Sequence, residues 1–112
     1  MIDRPRIPVA TELTAFQWCI LSILSERPRN GLAVKDELDA YYDEKINANR
    51  LYPNLDTLVE YGLVSKHERD KRTNEYILTK RGDDVLLAKI EWKLSKLCVE
   101  AEHIERIRDI LE

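Results

Sequence analysis

Phe16, Cys19, Ile20, Ile23 and Leu24 recur every three to four residues, the spacing that places apolar side chains on one face of a helix. Just ahead of them Thr14 and Gln17 stand in capping-box order, with Leu13 and Trp18 at hydrophobic-staple positions, so the helix starts there. Arg27-Pro28-Arg29-Asn30-Gly31 ends it. A second helix is expected over 32–43, burying Leu32, Val34, Leu38 and one of Tyr41 and Tyr42. In the third, Leu51, Leu55, Leu58 and Val59 form a core-facing stripe. Asn49, Pro53, Asp56, Thr57 and Glu60 lie opposite it, with Arg50 on the shoulder. Proline is tolerated in the first turn of a helix, where its missing N–H has no partner to lose. Pro53 therefore predicts a start near Ala48 to Arg50, and Gly62 predicts a left-handed cap at the other end.

The period then changes. Leu63, Tyr76 and Leu78 alternate with polar neighbours around a long polar turn from Arg69 to Asn74, the pattern of a half-buried hairpin. Thr79 is placed to cap a last helix beginning at Lys80, and no proline or glycine breaks that pattern between Gly82 and Leu111. Some 30 residues at 1.5 Å each give ~45 Å, longer than the ~30 Å breadth of a body of about 80 residues. Ile90, Leu94, Leu97, Ala101, Ile104, Arg108 and Leu111 step alternately by four and three, a coiled-coil seam. Val85, Trp92 and Val99 fall on another face, where they are expected to dock on the first helix. An apolar seam left bare in a monomer predicts a homodimer, with Ile90, Leu94, Leu97, Ala101, Ile104 and Leu111 as its contacts.

These elements make a mainly α chain with a small β-hairpin (α+β): a winged helix-turn-helix with a long C-terminal dimerisation helix. The expected division is a flexible N-terminal arm over 1–12, the winged helix-turn-helix over 13–79, and the dimerisation helix over 80–112. The total of 112 residues suits one domain. Its longest apolar stretch, Trp18 to Leu24, is interrupted by Ser22 and falls short of the ~20 residues that a membrane span needs. The start of the chain lacks the apolar core of a signal peptide, so a cytoplasmic location is expected. Cys19 and Cys98 lie in apolar helical patterns and read as small buried hydrophobes. Neither they nor His67 and His103 have metal-ligand spacing, and there is no phosphate loop or nucleophile motif. No enzyme activity, metal or cofactor is expected.

Charge sharpens the picture. The net charge of −3 hides an uneven distribution. Residues 64–82 carry six basic side chains (Lys66, Arg69, Lys71, Arg72, Lys80 and Arg81) against three acidic ones, whereas both flanking regions are net acidic. Screening confines fields to ~8 Å at physiological salt, so the local excess on the hairpin governs encounter with phosphate more than the total does. A polar helix tip beside a cationic hairpin suits double-stranded DNA. Arg50 matches the two acceptors of guanine and Asn49 those of adenine, and Tyr52, Asn54 and Thr57 are further candidate contacts. Lys66, Arg69, Lys71 and Arg72 suit the phosphate backbone, and Arg4 and Arg6 on the arm suit a minor groove. The alternative is a protein-interaction module that uses Asp56, Glu60 and the acidic C-terminal helix.

Gly31 ahead of the second helix, Leu51-Tyr52-Pro53 with Leu55 in the third, Gly62-Leu63-Val64, Arg72 to Tyr76 and Leu78-Thr79-Lys80-Arg81-Gly82 together resemble the PadR-like transcriptional regulators. The resemblance covers roughly Leu13 to Leu86. It implies a homodimer that binds operator DNA and usually represses transcription, with the third helix in the major groove and the wing against the flanking backbone. It also implies a small-molecule effector in some relatives, for which Trp92 offers a stacking surface, although docking within the core is the expected role of this residue. Two positions depart from the family pattern. Asp56 and Thr57 stand where basic residues are common, and Leu32 where an aromatic is usual. Asp56 repels phosphate but can accept a hydrogen bond from a cytosine amine.

Overall fold

The computed structural model describes residues 13–70, 73–97 and 100–112. In α1 (Ala15–Glu26) the capping box is complete. The Thr14 amide donates to Gln17 Oε1 at 3.0 Å and the Gln17 amide to Thr14 Oγ1 at 3.1 Å. This helix is the hub of the molecule, touching α2 (Gly31–Tyr42), α3 (Ala48–Glu60), the wing strand β3 (Asn74–Leu78) and α4 (Lys80–Leu97). Phe16, Ile20, Leu21 and Leu24 meet Val34 and Leu38 of α2 and Leu51, Leu55 and Leu58 of α3 in one core, closed by Leu63, Val64, Tyr76, Val85 and Leu86. The expected stripe of α3 is thus the buried one. Leu32 corrects the second-helix expectation: at the outward edge of the first turn of α2 it is 67% exposed, while Tyr42, rather than Tyr41, turns inward.

The hairpin forms where the pattern placed it, but the sheet it belongs to is larger. β2 (Val64–Glu68) pairs antiparallel with β3, from Val64 opposite Leu78 to Glu68 opposite Asn74. A third strand, β1 (Arg29–Asn30), pairs on the far side of β3, giving the order β1-β3-β2. Two residues after a proline carry no alternation to read, which is why β1 was legible only as a helix stop.

Both junctions around the wing are locked by backbone chemistry. Gly62 takes φ +76°, its amide donates to Val59 O, and the Leu63 amide donates to Leu58 O, the paired bonds of a Schellman cap. Thr79 then ties wing to helix: its hydroxyl donates to Gly62 O at 2.7 Å and accepts from the Gly82 amide at 3.0 Å. A Cβ on Gly82 would stand 2.2 Å from Leu63 O, so only glycine permits α4 to start this close to the α3–wing junction.

The expectation of one unbroken C-terminal helix is corrected. α4 is described as far as Leu97, and α5 (Ala101–Leu111) starts afresh behind Glu100, whose backbone is extended. The His103 ring donates from Nδ1 to Leu97 O at 2.8 Å, so a side chain of the new helix serves a carbonyl at the end of the old one. A heptad pattern constrains side-chain faces but cannot exclude a break that is capped in this way. Among the described residues α5 buries no side chain.

Candidate nucleic-acid interface

Asn47 caps α3, its side chain accepting from the Asn49 amide at 2.8 Å. From this start the helix turns each candidate residue to a definite side. Pro53 lies in the second turn rather than the first, so it removes the donor that the Asn49 carbonyl would otherwise receive; Asn49 is exposed, and solvent can serve that carbonyl. Asn49, Pro53, Asp56 and Glu60 form an exposed outward ridge. Thr57 flanks it half-buried, its hydroxyl donating to Pro53 O at 2.9 Å.

Arg50 and Asn54 turn toward α1 instead. The Arg50 guanidinium lies 4.0 Å from the centre of the Phe16 ring and 5.8 Å from that of Tyr42, a cation–π arrangement. Asn54 donates to Arg50 O at 2.7 Å and accepts from Gln17 Nε2 at 3.0 Å, so both ends of its amide are engaged within the protein. Gln17 in turn is buried and held by the capping box, which fixes α3 against the N-terminus of α1. Tyr52 leans to the opposite side. A Cβ on Gly31 would stand 2.6 Å from its hydroxyl and 2.7 Å from its ring, so the bare glycine at the start of α2 is what lets the tyrosine lie there.

The wing closes the same face. Lys66 Nζ on β2 stands 3.9 Å from Asp56 Oδ1, joining the outward ridge of α3 to the hairpin. Behind them Tyr76 is buried, and its hydroxyl pKa is pushed up by burial, then by the nearby Asp56 charge. At the wing tip the Arg69 amide bonds Thr73 O, its guanidinium pairs with Glu75 at 2.8 Å, and the Thr73 amide donates to Asp70 Oδ1. Lys71 and Arg72 lie outside the described residues, as do Arg4 and Arg6.

Sequence reasoning missed the support on the other edge of the wing. Arg29 on β1 is buried, with its guanidinium paired to Glu26 and, at 3.0 Å, to Glu37. It lines a groove of about 340 Å³ with Arg27, Asn30, Ala33, Arg69 and Thr73. The groove opens beside the N-terminus of α2, where Asn30 Oδ1 accepts from the Ala33 amide at 2.8 Å. The signal was present in Arg27-Pro28-Arg29-Asn30-Gly31: two cations immediately before a helix cap.

The residues of the expected C-terminal seam are open. Ile90, Leu97, Ala101, Ile104 and Leu111 are exposed and Leu94 half-buried. Trp92 corrects an expectation, being 58% exposed instead of docked on α1. Lys89 lies between the two tryptophans, its Nζ 5.3 Å from the Trp18 ring and 5.9 Å from that of Trp92, and Lys96 covers Trp92 at 5.4 Å. Val99 lies outside the described residues, as does Cys98. Among the described residues no group of side chains could hold a metal ion, and no helix is long and apolar enough to cross a membrane.

This geometry has close counterparts. The solved structure of RosR from H. salinarum shares 54% identity over 91% of this chain and 93% of that one, with a TM-score of 0.89. A transcriptional regulator from Clostridium thermocellum shares 26% over 72% of this chain and 82% of its own, at a TM-score of 0.62. A PadR-like transcription factor from Bacteroides fragilis has the same fold at 22% identity, over 79% and 87% of the two chains and at a TM-score of 0.63. Comparison with curated protein sequences yields no match. The family model for the transcriptional regulator PadR-like family matches residues 20–88, from the middle of α1 through the wing into α4. The chain is therefore a member of the PadR-like family of transcriptional regulators, non-enzymatic DNA-binding proteins built on a winged helix.

Proposed function

We propose that this chain is a sequence-specific regulator that binds double-stranded DNA as a homodimer and represses transcription by occupying its operator. The observation that carries the reading is the juxtaposition of the α3 ridge with the wing, bridged by Asp56 and Lys66 at 3.9 Å. An α-helix enters a major groove, and the hairpin beside it meets the flanking phosphates.

Asn49 is the base-reading residue at the leading turn. Arg50 reaches guanine only by leaving the Phe16 ring, so its contact forms on binding. The Tyr52 hydroxyl approaches phosphate from one flank of the ridge, and Thr57 reaches it from the other only by releasing Pro53 O. Lys66, Arg69, Lys71 and Arg72 neutralise the backbone without reading sequence. Asn54 acts one step back, holding α3 against Gln17. Two copies join through Ile90, Leu94, Leu97, Ala101, Ile104 and Leu111, which removes an apolar surface that a monomer leaves in water. Trp92 and its two lysines border that surface, and any small-molecule effector is expected to bind there.

The test is fluorescence anisotropy of a labelled random-sequence duplex across a salt series, together with selection of bound sequences from a random pool. Binding that weakens steeply with salt, and enrichment of two-fold related half-sites, are expected. A chain that retains no duplex at low salt instead has the ridge of a protein-interaction module.

A further inference from the structure

Asp56 is the carboxylate at the middle of the ridge, and its place there works against backbone binding. It is exposed on the outward ridge of α3, and its carboxylate pairs with the Lys66 amine on the wing. An uncompensated carboxylate entering a groove lined by phosphate on both walls would be repelled. On resting rather than bound protein, Lys66 offsets that charge from 3.9 Å, and both side chains remain largely open to water, so the pair can separate at little cost. Its neighbours narrow its role further. Pro53 has no N–H, Thr57 has its hydroxyl donated to Pro53 O, and Glu60 lies a full turn farther along. The mid-ridge thus presents one strong acceptor and no free donor aimed at base edges.

Among base edges in the major groove, an unaccompanied amine donor is offered by cytosine, through N4. Resting on the DNA-binding reading above, we infer that Asp56 is a specificity-determining residue: its carboxylate accepts the N4 hydrogen of one cytosine in each half-site, while Lys66 passes from Asp56 to a neighbouring phosphate. The pair is then a charge exchange. In the free protein lysine answers aspartate; on a cognate site the amine and the phosphate each replace one partner. Over guanine or thymine Asp56 faces acceptors, and over adenine the N6 donor stands beside the N7 acceptor, so Lys66 cannot leave Asp56 without exposing the repulsion. Discrimination comes from rejection as much as from attraction.

The experiment selects bound duplexes from a random pool with the full-length wild type, Asp56→Ala, Asp56→Asn and Lys66→Ala. Wild type is expected to enrich one cytosine per half-site. Asp56→Ala should lose that preference, by about tenfold or more, and hold non-cognate duplex more tightly. Asp56→Asn should move the same position toward adenine, whose N6 and N7 suit an amide. Lys66→Ala should keep the cytosine and bind all duplexes more weakly. A duplex whose selected cytosine lacks its exocyclic amine should weaken wild type and leave Asp56→Ala unchanged. Variants that bind but retain the wild-type base at every position overturn the cytosine contact alone. A wild type that enriches nothing and retains no duplex overturns the regulator reading, and this inference with it.

Discussion

Two glycines show how differently a missing side chain can act. At Gly31 the space is filled by the end of the Tyr52 ring, which can swing aside. At Gly82 it is filled by the Leu63 carbonyl, which cannot move without the wing. Gly31→Ala is therefore expected to cost about 1 kcal/mol, recovered when Tyr52→Leu is added, and Gly82→Ala about 1–3 kcal/mol with no recovery from Leu78→Ala. Urea denaturation of the four variants checks both. Asp39 supplies the acid-sensitive contact. Its carboxylate accepts the Ile46 amide at 2.7 Å and pairs with Lys35 at 2.9 Å, spanning the turn between α2 and α3. The amide first, and the lysine second, hold its pKa below the ordinary 3.8. A depressed carboxylate pKa gives stability that is present above the unfolded value and lost as pH falls through the folded one. Asp39→Asn should accordingly narrow the difference in urea midpoint between pH 6 and pH below 3.8, where wild type loses this contribution; an unchanged difference would assign the acid sensitivity elsewhere.

At the scale of elements, what could be read in advance followed from how local each cause is. The capping box of α1, the apolar stripe of α3 and the glycine cap before the wing are set by residues within one or two turns, and all were legible. β1 was not, because its strand identity comes wholly from pairing with Tyr76 and Glu75, far along the chain. Nor was the seating of Arg50 and Asn54, since both answer to side chains on α1. The break at Glu100 was missed for a different reason: apolar spacing survives it, and only the extended Glu100 backbone and the His103 contact to Leu97 O distinguish two helices from one. The same division governs the wing. Its cations are plain in the sequence, whereas the bracing of its far edge by buried Arg29 is a tertiary matter. Arg72→Ala should weaken binding to all duplexes alike and lower the salt slope by ~1, as loss of one phosphate contact requires. A change in base preference with an intact slope would place Arg72 in a groove instead.

At the scale of the whole molecule, the extents of 51 × 37 × 23 Å describe an elongated body. Among the described residues, Ile90, Trp92, Leu97, Ile104, Ile110 and Leu111 of α4 and α5 are exposed. Ile90→Glu combined with Leu97→Glu, both at exposed positions, should leave the fold intact and yield a monomer by sedimentation at concentrations where wild type is expected to be a dimer. That monomer should also bind a two-half-site duplex far less tightly, because the second head no longer arrives tethered. A double variant that still sediments as a dimer would move the interface elsewhere.

The seat of Gly82 against Leu63 carries a mechanical corollary. With no methyl to act as a cushion and Thr79 bolting both ends, the first turn of α4 and the reading edge behave as a single casting. In the proposed dimer, whatever angle the paired tails adopt would be handed without slack to the two styluses, so their span along a duplex would be geared to the tilt of that joint. A molecule wedged beside Trp92 would need no route through the core to put both styluses out of step with the helical repeat.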